Sequence, residues 1–159
     1  MRFDHMAIFV TDLEEAIKLW RDVLGFNLDT QKMIPDGPEP GPDTLIYPAL
    51  LDDILKHDGA RSHMAILSSA EGAIIELQQV ESPAIQKTPE QNLRYGHTGI
   101  HELGLRVDDI DGWYRKIKDA GYRMQTDYVW TVANFARSFI FYDHEGNMIQ
   151  LLQQVRTAT

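Results

Sequence analysis

Four side chains in this sequence have the types and positions to share a metal ion: His5, Glu76, Glu102 and Gln150. Each lies in a short apolar stretch that reads as a strand, where successive side chains point to opposite faces. Over 102–107, Leu103, Leu105 and Val107 form an apolar row suited to a covering helix, so Glu102, Gly104 and Arg106 face the other way. Over 73–79, Ile75 and Leu77 pack on one side while Ile74, Glu76 and Gln78 face the other. The stretch 147–153 repeats this, with Ile149 and Leu151 packed and Met148, Gln150 and Leu152 opposite. One imidazole, two carboxylates and one amide oxygen suit zinc, nickel, cobalt, manganese or ferrous iron, and spacing does not choose among them. Taken singly, a strand His or Glu that faces a cleft is more often a hydrogen-bonded group than a ligand. The joint reading gains weight because the four fall into two pairs related by an internal repeat.

That repeat organises the chain. The segment FDHMAIFVTDLEEAIKLWRDVLGF, from Phe3, is echoed by IHELGLRVDDIDGWYRKIKDAGY, from Ile100. Val10 meets Val107, Asp12 meets Asp109, Lys18 meets Arg115 and Asp22 meets Asp119; one residue is then dropped before Gly25 meets Gly121. EGAIIELQQ, from Glu71, likewise matches EGNMIQLLQ, from Glu145. The register equates His5 with Glu102 and Glu76 with Gln150. The chain therefore reads as two copies of one βα-plus-strands module, and the pairs would meet if the modules join around a pseudo-twofold axis.

The elements follow from local pattern. Residues 3–10 are expected to form a largely buried strand, since almost every residue after His5 is apolar. Thr11 or Asp12 caps a helix whose stripe is Ala16, Ile17, Trp20, Val23 and Leu24, and Gly25 ends it. A strand at 26–33 leads into IPDGPEPGPD, where the prolines forbid regular structure and predict a surface loop. A short helix is expected at 50–56, then a hairpin of 62–68 with 73–80. Residues 1–80 form the first module, 81–97 a linker, 98–154 the second module and 155–159 a tail. The second module is expected to hold a strand to Val107, a helix at 110–120 and strands at 122–128, 137–142 and 147–153.

Composition narrows the function classes. The 159 residues are 43% hydrophobic and 25% charged, as in ordinary soluble domains. A net charge of −9, with no basic cluster, argues against nucleic acid or an anionic membrane as the main partner. The absence of cysteine excludes disulfides, thiolate metal sites and a Cys nucleophile. No apolar run approaches the roughly 20 residues that span a bilayer. The N-terminus lacks a signal-peptide layout, so a cytoplasmic protein is the expectation.

The marks DHMAIFVTDLEEAIKLWRDVLGF, GAIIELQQV, GIHELGLRVDDIDGWYRKIKDAG and FYDHEGNMIQLLQ resemble the vicinal oxygen chelate superfamily, which includes glyoxalase I, methylmalonyl-CoA epimerase, extradiol dioxygenases and bleomycin-resistance proteins. The resemblance covers most of the chain. It implies an α+β fold in which two tandem βαβββ modules form a curved mixed sheet around a cleft that binds a divalent metal ion. It also implies a small-molecule substrate and a homodimer. The ligand positions of that family coincide with His5, Glu76, Glu102 and Gln150. Two depart from its commonest pattern: the family usually has His where Glu102 stands and Glu where Gln150 stands.

On this resemblance the expected activity is that of a metal-dependent glyoxalase-like isomerase, epimerase or lyase. It would chelate neighbouring substrate oxygens and draw a proton from beside a carbonyl through an enolate. Glu102 or Glu76 takes the base role, because Gln150 cannot. Arg106, Phe9, Tyr128, Trp130 and His63 are the candidate substrate contacts, with Phe139 a further candidate for the pocket wall. His144, in a turn, is expected to face solvent. The alternatives are a non-catalytic sequestering protein of bleomycin-resistance type and an atypical extradiol dioxygenase.

Overall fold

The computed structural model describes residues 1–155 and forms two compact units, Met1–Lys87 and Thr88–Thr159. The tail expected at 155–159 lies, from residue 156 onward, outside the described residues. Each unit holds one four-stranded mixed sheet, and the class is α+β.

In the first unit the order is β1 (His5–Phe9), β4 (Ile74–Ser82), β3 (Arg61–Ser68), β2 (Asn27–Ile34). In the second it is β5 (Glu102–Arg106), β8 (Met148–Gln154), β7 (Ala136–Tyr142), β6 (Trp130–Val132). The outer pair is parallel in both units and the other neighbours are antiparallel. The registers coincide residue for residue. His5 lies opposite Ile74 as Glu102 lies opposite Met148, and Ala7 opposite Glu76 as Gly104 opposite Gln150. The next strand continues the match, with Ile66 opposite Glu76 and Ile140 opposite Gln150.

One face of each sheet is covered by a helix. In unit one, α1 (Leu13–Ile17) begins on Asp12, whose carboxylate accepts from the Glu15 N–H at 3.1 Å. In unit two, α4 (Ile110–Asp119) begins on Asp109, which accepts from the Gly112 N–H at 2.9 Å. Caps of this kind contribute about 1 kcal/mol each. A second device is shared. Gln79 Oε1, on β4, accepts from the Leu13 N–H at 2.8 Å, and Gln153 Oε1, on β8, accepts from the Ile110 N–H at 3.1 Å. Each module thus uses its last strand to satisfy a first-turn donor that the helix itself cannot.

The helices differ by the one residue that the repeat drops. After Ile17 the helix widens into a π-helical stretch, Lys18–Val23, in which the Leu24 N–H reaches Leu19 O at 2.9 Å. Five-residue spacing absorbs the extra residue and keeps Gly25 at the helix stop, with φ +83°. Beneath it lie buried Leu13, Ile17, Leu19, Trp20, Leu67, Ile75 and Leu77. Phe26 meets Trp20 edge-on at 5.1 Å. The counterpart core of unit two has Ile110, Ile117, Ile149 and Leu151, with Tyr114 edge-on to Phe139 at 5.2 Å.

Three expectations need correction. The first strand is not largely buried: its residues alternate, and His5, Ala7 and Phe9 are exposed on the face away from the helix. No strand forms over 122–128. Its one β-bridge to β7 among the described residues is Met124–Phe141, and the Thr126 hydroxyl donates to Tyr128 O at 2.7 Å, which bends the chain away. The edge strand is instead β6. The second half of the first hairpin runs on to Ser82, and the stretch beyond it contains a short helix, α3 (Glu90–Leu93).

The proline-rich loop is closed by one residue. Asp36 accepts from the N–H groups of Leu45 and Ile46 and from Lys32 Nζ, the last at 2.7 Å. The Lys32 ammonium, with the two amides, holds its pKa at about 2. After the loop, α2 (Pro48–Leu55) lays Leu51 against Ile34, Ala60 and Met64. No helix among the described residues is long and apolar enough to cross a membrane.

Candidate functional site

The faces turned away from α1 and α4 carry the polar residues. On the first sheet these are His5 and Glu76, with Phe9 and Gln78 beside them in register. His5 Nδ1 bonds to Asp4 Oδ2 at 2.7 Å, and its Nε2 stands 3.8 Å from Glu76 Oε2. The Asp4 hydrogen bond, aided by the charge of Glu76, raises the His5 pKa above its usual value. With Nδ1–H committed to Asp4, Nε2 is left as the nitrogen that faces the second carboxylate. A metal-ligating histidine is held in this way by an outer carboxylate.

Glu76 is fixed from below. Gln78 Nε2 donates to Glu76 Oε1 at 2.6 Å, while Gln78 Oε1 is buried and has no hydrogen-bond partner among the described residues. An orphaned buried acceptor costs about 1–3 kcal/mol. The Gln78 N–H restrains the Glu76 carboxylate.

On the second sheet Glu102, Gly104 and Arg106 line up along β5, with Gln150 across from Gly104. A Cβ at Gly104 would stand 3.7 Å from Gln150 Oε1, an ordinary van der Waals contact, so Gly104 and that amide oxygen are neighbours on the sheet face. Glu102 Oε2 accepts from the Tyr95 hydroxyl at 2.6 Å. That bond, together with burial, pushes the Tyr95 pKa up to about 12. Tyr95 is held in place by its neighbours, since His101 bonds to the carbonyls of Leu93 and His97 on either side of it. Arg106 is exposed on the same face and has no ion-pair partner among the described residues.

The remaining candidates divide. Phe9 is exposed beside Gln78, on the face of Glu76. Trp130 packs half-buried against Ile140, Tyr142 and Met148, on the face of Gln150. Tyr128 is exposed in the bend before β6. His63 is not beside Glu76: it pairs in register with Gln79, on the helix-covered face, and its Nε2 is 2.7 Å from Glu81 Oε1. Phe139 is not a pocket wall, since it is fully buried under Tyr114. His144 does not face solvent freely, and its Nε2 pairs with Glu145 at 2.9 Å. Asp4, Gln78 and Tyr95 were not anticipated. The Asp4-His5 pair and the Glu76-Leu77-Gln78 alternation were visible in the sequence, but Tyr95 carried no signal because it lies in an aperiodic stretch.

The donors fit a divalent metal in kind: imidazole, two carboxylates and an amide oxygen, three of the four with a neighbour that orients them. Within neither unit, among the described residues, do three His, Asp or Glu side chains gather into a cluster by themselves.

Comparison with known proteins agrees with the fold. The profile of the Glyoxalase/Bleomycin resistance protein/Dioxygenase superfamily matches residues 2–151, and the chain belongs to that superfamily. A glyoxalase family protein from Bacillus cereus superposes with a TM-score of 0.80 at 18% identity, over 98% of this chain and 95% of that one. The fosfomycin resistance protein FosX from Listeria monocytogenes gives 0.61 at 15% identity, over 98% and 94%. TnmS3, an antibiotic binding protein from Streptomyces sp. CB03234, gives 0.57 at 17% identity, over 98% and 97%. These similarities establish a shared fold.

Proposed function

We propose that the chain is a divalent-metal-dependent enzyme of glyoxalase-like type, an isomerase, epimerase or lyase acting on a small molecule with neighbouring oxygens. The observation that carries this reading is the register match. His5 and Glu76 on one open sheet face occupy the same places as Glu102 and Gln150 on the other. In this reading those four side chains hold the metal. When bound, the ion supplies Lewis-acid stabilisation of negative charge on substrate oxygen.

The chain's own residues do the rest. Asp4 keeps the His5 proton on Nδ1 and so keeps Nε2 basic. Gln78 holds Glu76 in one rotamer. Tyr95 restrains one oxygen of Glu102 and leaves the other to take a proton from the carbon beside a carbonyl; the C–H electron pair becomes the new C=C π bond as the carbonyl π pair moves onto the oxygen. Glu102 then returns that proton to the adjacent carbon. Arg106, without an ion-pair partner among the described residues, orients a substrate carboxylate by bidentate hydrogen bonds. Phe9, Tyr128 and Trp130 supply apolar contact. Homodimer formation belongs to the same reading and rests on the family resemblance.

Elemental analysis of untagged protein tests this, with wild type beside Glu102→Ala. Near-stoichiometric divalent metal that falls in the variant is the expected result. If metal stays absent after reconstitution, the chelate mechanism fails. A non-catalytic small-molecule sequestering role of bleomycin-resistance type then becomes the leading reading, in line with the similarity to the antibiotic binding protein TnmS3, and exposed Phe9 and Tyr128 become its binding surface.

A further inference from the structure

Unit two contains a cavity of about 260 Å³ lined by Arg94, Tyr95, Arg123, Gln125, Tyr142 and Met148. We infer that this cavity is a carboxylate-binding subsite for a small organic acid, with Arg94 and Arg123 as its cations. That the acid is the substrate whose reacting end lies at Glu102 rests on the function proposed above; the subsite itself does not.

The cavity is rich in donors and poor in acceptors. Arg94 and Arg123 each give one N–H to the same oxygen, Glu90 Oε1, at 2.6 and 2.7 Å. A guanidinium carries five N–H donors, so most remain for a ligand. Two cations against this one carboxylate leave a single positive charge, in a chain whose net charge is −9. Gln125 Oε1 is taken by the Tyr142 hydroxyl, which leaves the amide N–H groups to the cavity. The Tyr95 hydroxyl proton is committed to Glu102, which is not among the lining residues. A ligand group that only accepts, with one negative charge, satisfies these donors. A carboxylate does; a phosphate dianion exceeds the charge available.

The walls are preorganised. The Arg123 guanidinium lies 3.5 Å from the Tyr142 ring centroid, a stacked arrangement that holds its plane. Buried Met148 gives an apolar floor. A volume of 260 Å³ is just below that of sites for drug-sized ligands, about 300–1,000 Å³. It suits a small acid, or the acid end of a larger one. The position also matters. Met148 pairs in register with Glu102, and Tyr95 both lines the cavity and binds Glu102. A carboxylate held here presents the rest of its molecule to the Glu102 face.

Methionine-methyl NMR of the full chain tests the subsite, with sodium propionate as probe and propionamide as its neutral counterpart. The titrations are run with and without EDTA. The expected result is a saturable shift of the Met148 methyl with propionate, at least tenfold weaker binding of propionamide, and inorganic phosphate no tighter than propionate. Arg123→Gln and Arg94→Gln should each weaken propionate at least fivefold, and Glu90→Gln should strengthen it. Equal binding of propionate and propionamide, no saturable shift at Met148, or wild-type binding by both arginine variants overturns the inference. Phosphate more than tenfold tighter than propionate overturns the carboxylate assignment. Should Arg123→Gln fail to fold, the largely exposed Arg94 keeps the test decisive. Because propionate binding is read in EDTA as well, loss of the metal reading leaves this result standing, and its own failure leaves metal content unaffected.

Discussion

The Tyr95 hydroxyl donates to Glu102 Oε2 at 2.6 Å, so the carboxylate proposed as both ligand and base is held by a residue from outside the repeat. The bond resists alkali. Tyr95 titrates near 12, above the usual 10, so its contribution is complete below pH 10 and fades only as pH rises from about 10 towards 12. Tyr95→Phe should lower metal affinity about tenfold, the low end for loss of an outer-shell partner. Because Tyr95 is 57% exposed, stability should change by no more than about 0.5 kcal/mol. Metal titration beside thermal melts checks both; equal metal affinity in the two proteins would remove Tyr95 from the site.

A pH dependence follows from His5. Its pKa is raised, first by Asp4, and only neutral imidazole binds a metal. Metal affinity should therefore fall as pH drops through the raised His5 value, at a higher pH than for an unperturbed histidine. Asp4→Asn removes the negative partner and should move the midpoint to lower pH, while reducing the affinity plateau. Metal binding measured from pH 5 to 8 decides this, and coincident profiles would show that Asp4 does not govern His5.

Gln78→Leu separates stability from function. It removes an orphaned buried acceptor together with the N–H that holds Glu76. The first effect recovers about 1–3 kcal/mol and the second loses a comparable amount, so the melting temperature should barely change. Metal affinity should nevertheless fall. A large loss of stability with unchanged metal binding would mean that Gln78 serves packing alone.

Asp36 governs acid sensitivity of the first unit. Its pKa of about 2 lies below the usual 3.8, so its stabilisation is present above pH 4 and is lost as pH falls towards 2. Asp36→Asn should cost about 1 kcal/mol at pH 7, discounted because Lys32 is partly exposed, and should flatten the acid limb of the stability curve. Urea melts between pH 2 and pH 7 measure the difference.

Much of this architecture could be read from the chain because its signals are local. Alternation put Glu76, Glu102 and Gln150 on the faces away from the apolar rows. The capping residues Asp12 and Asp109 announced themselves by type and position. The dropped residue before Gly121 was visible too, yet its structural form, the π-helical widening after Ile17, was not. Period 2 misled at 122–128, where Tyr122 and Met124 have a strand's spacing but Thr126 turns the backbone off the ladder. His63 failed for a different reason: its position on the strand was right, and the side it faced was settled by register against Gln79. Tyr95, Arg94 and Arg123 could not be found by pattern, because their roles come from contacts made by aperiodic segments.

Gln79 and Gln153 have a consequence for synthesis on the ribosome. Each closes the first turn of a helix made well before it, 66 and 43 residues upstream respectively. A nascent chain released short of either glutamine carries a helix whose opening donor has no partner, next to a sheet without its central strand. Each half must then emerge whole before its helix can settle. The longer wait falls to the first half, whose proline-rich loop and α2 come between helix and glutamine.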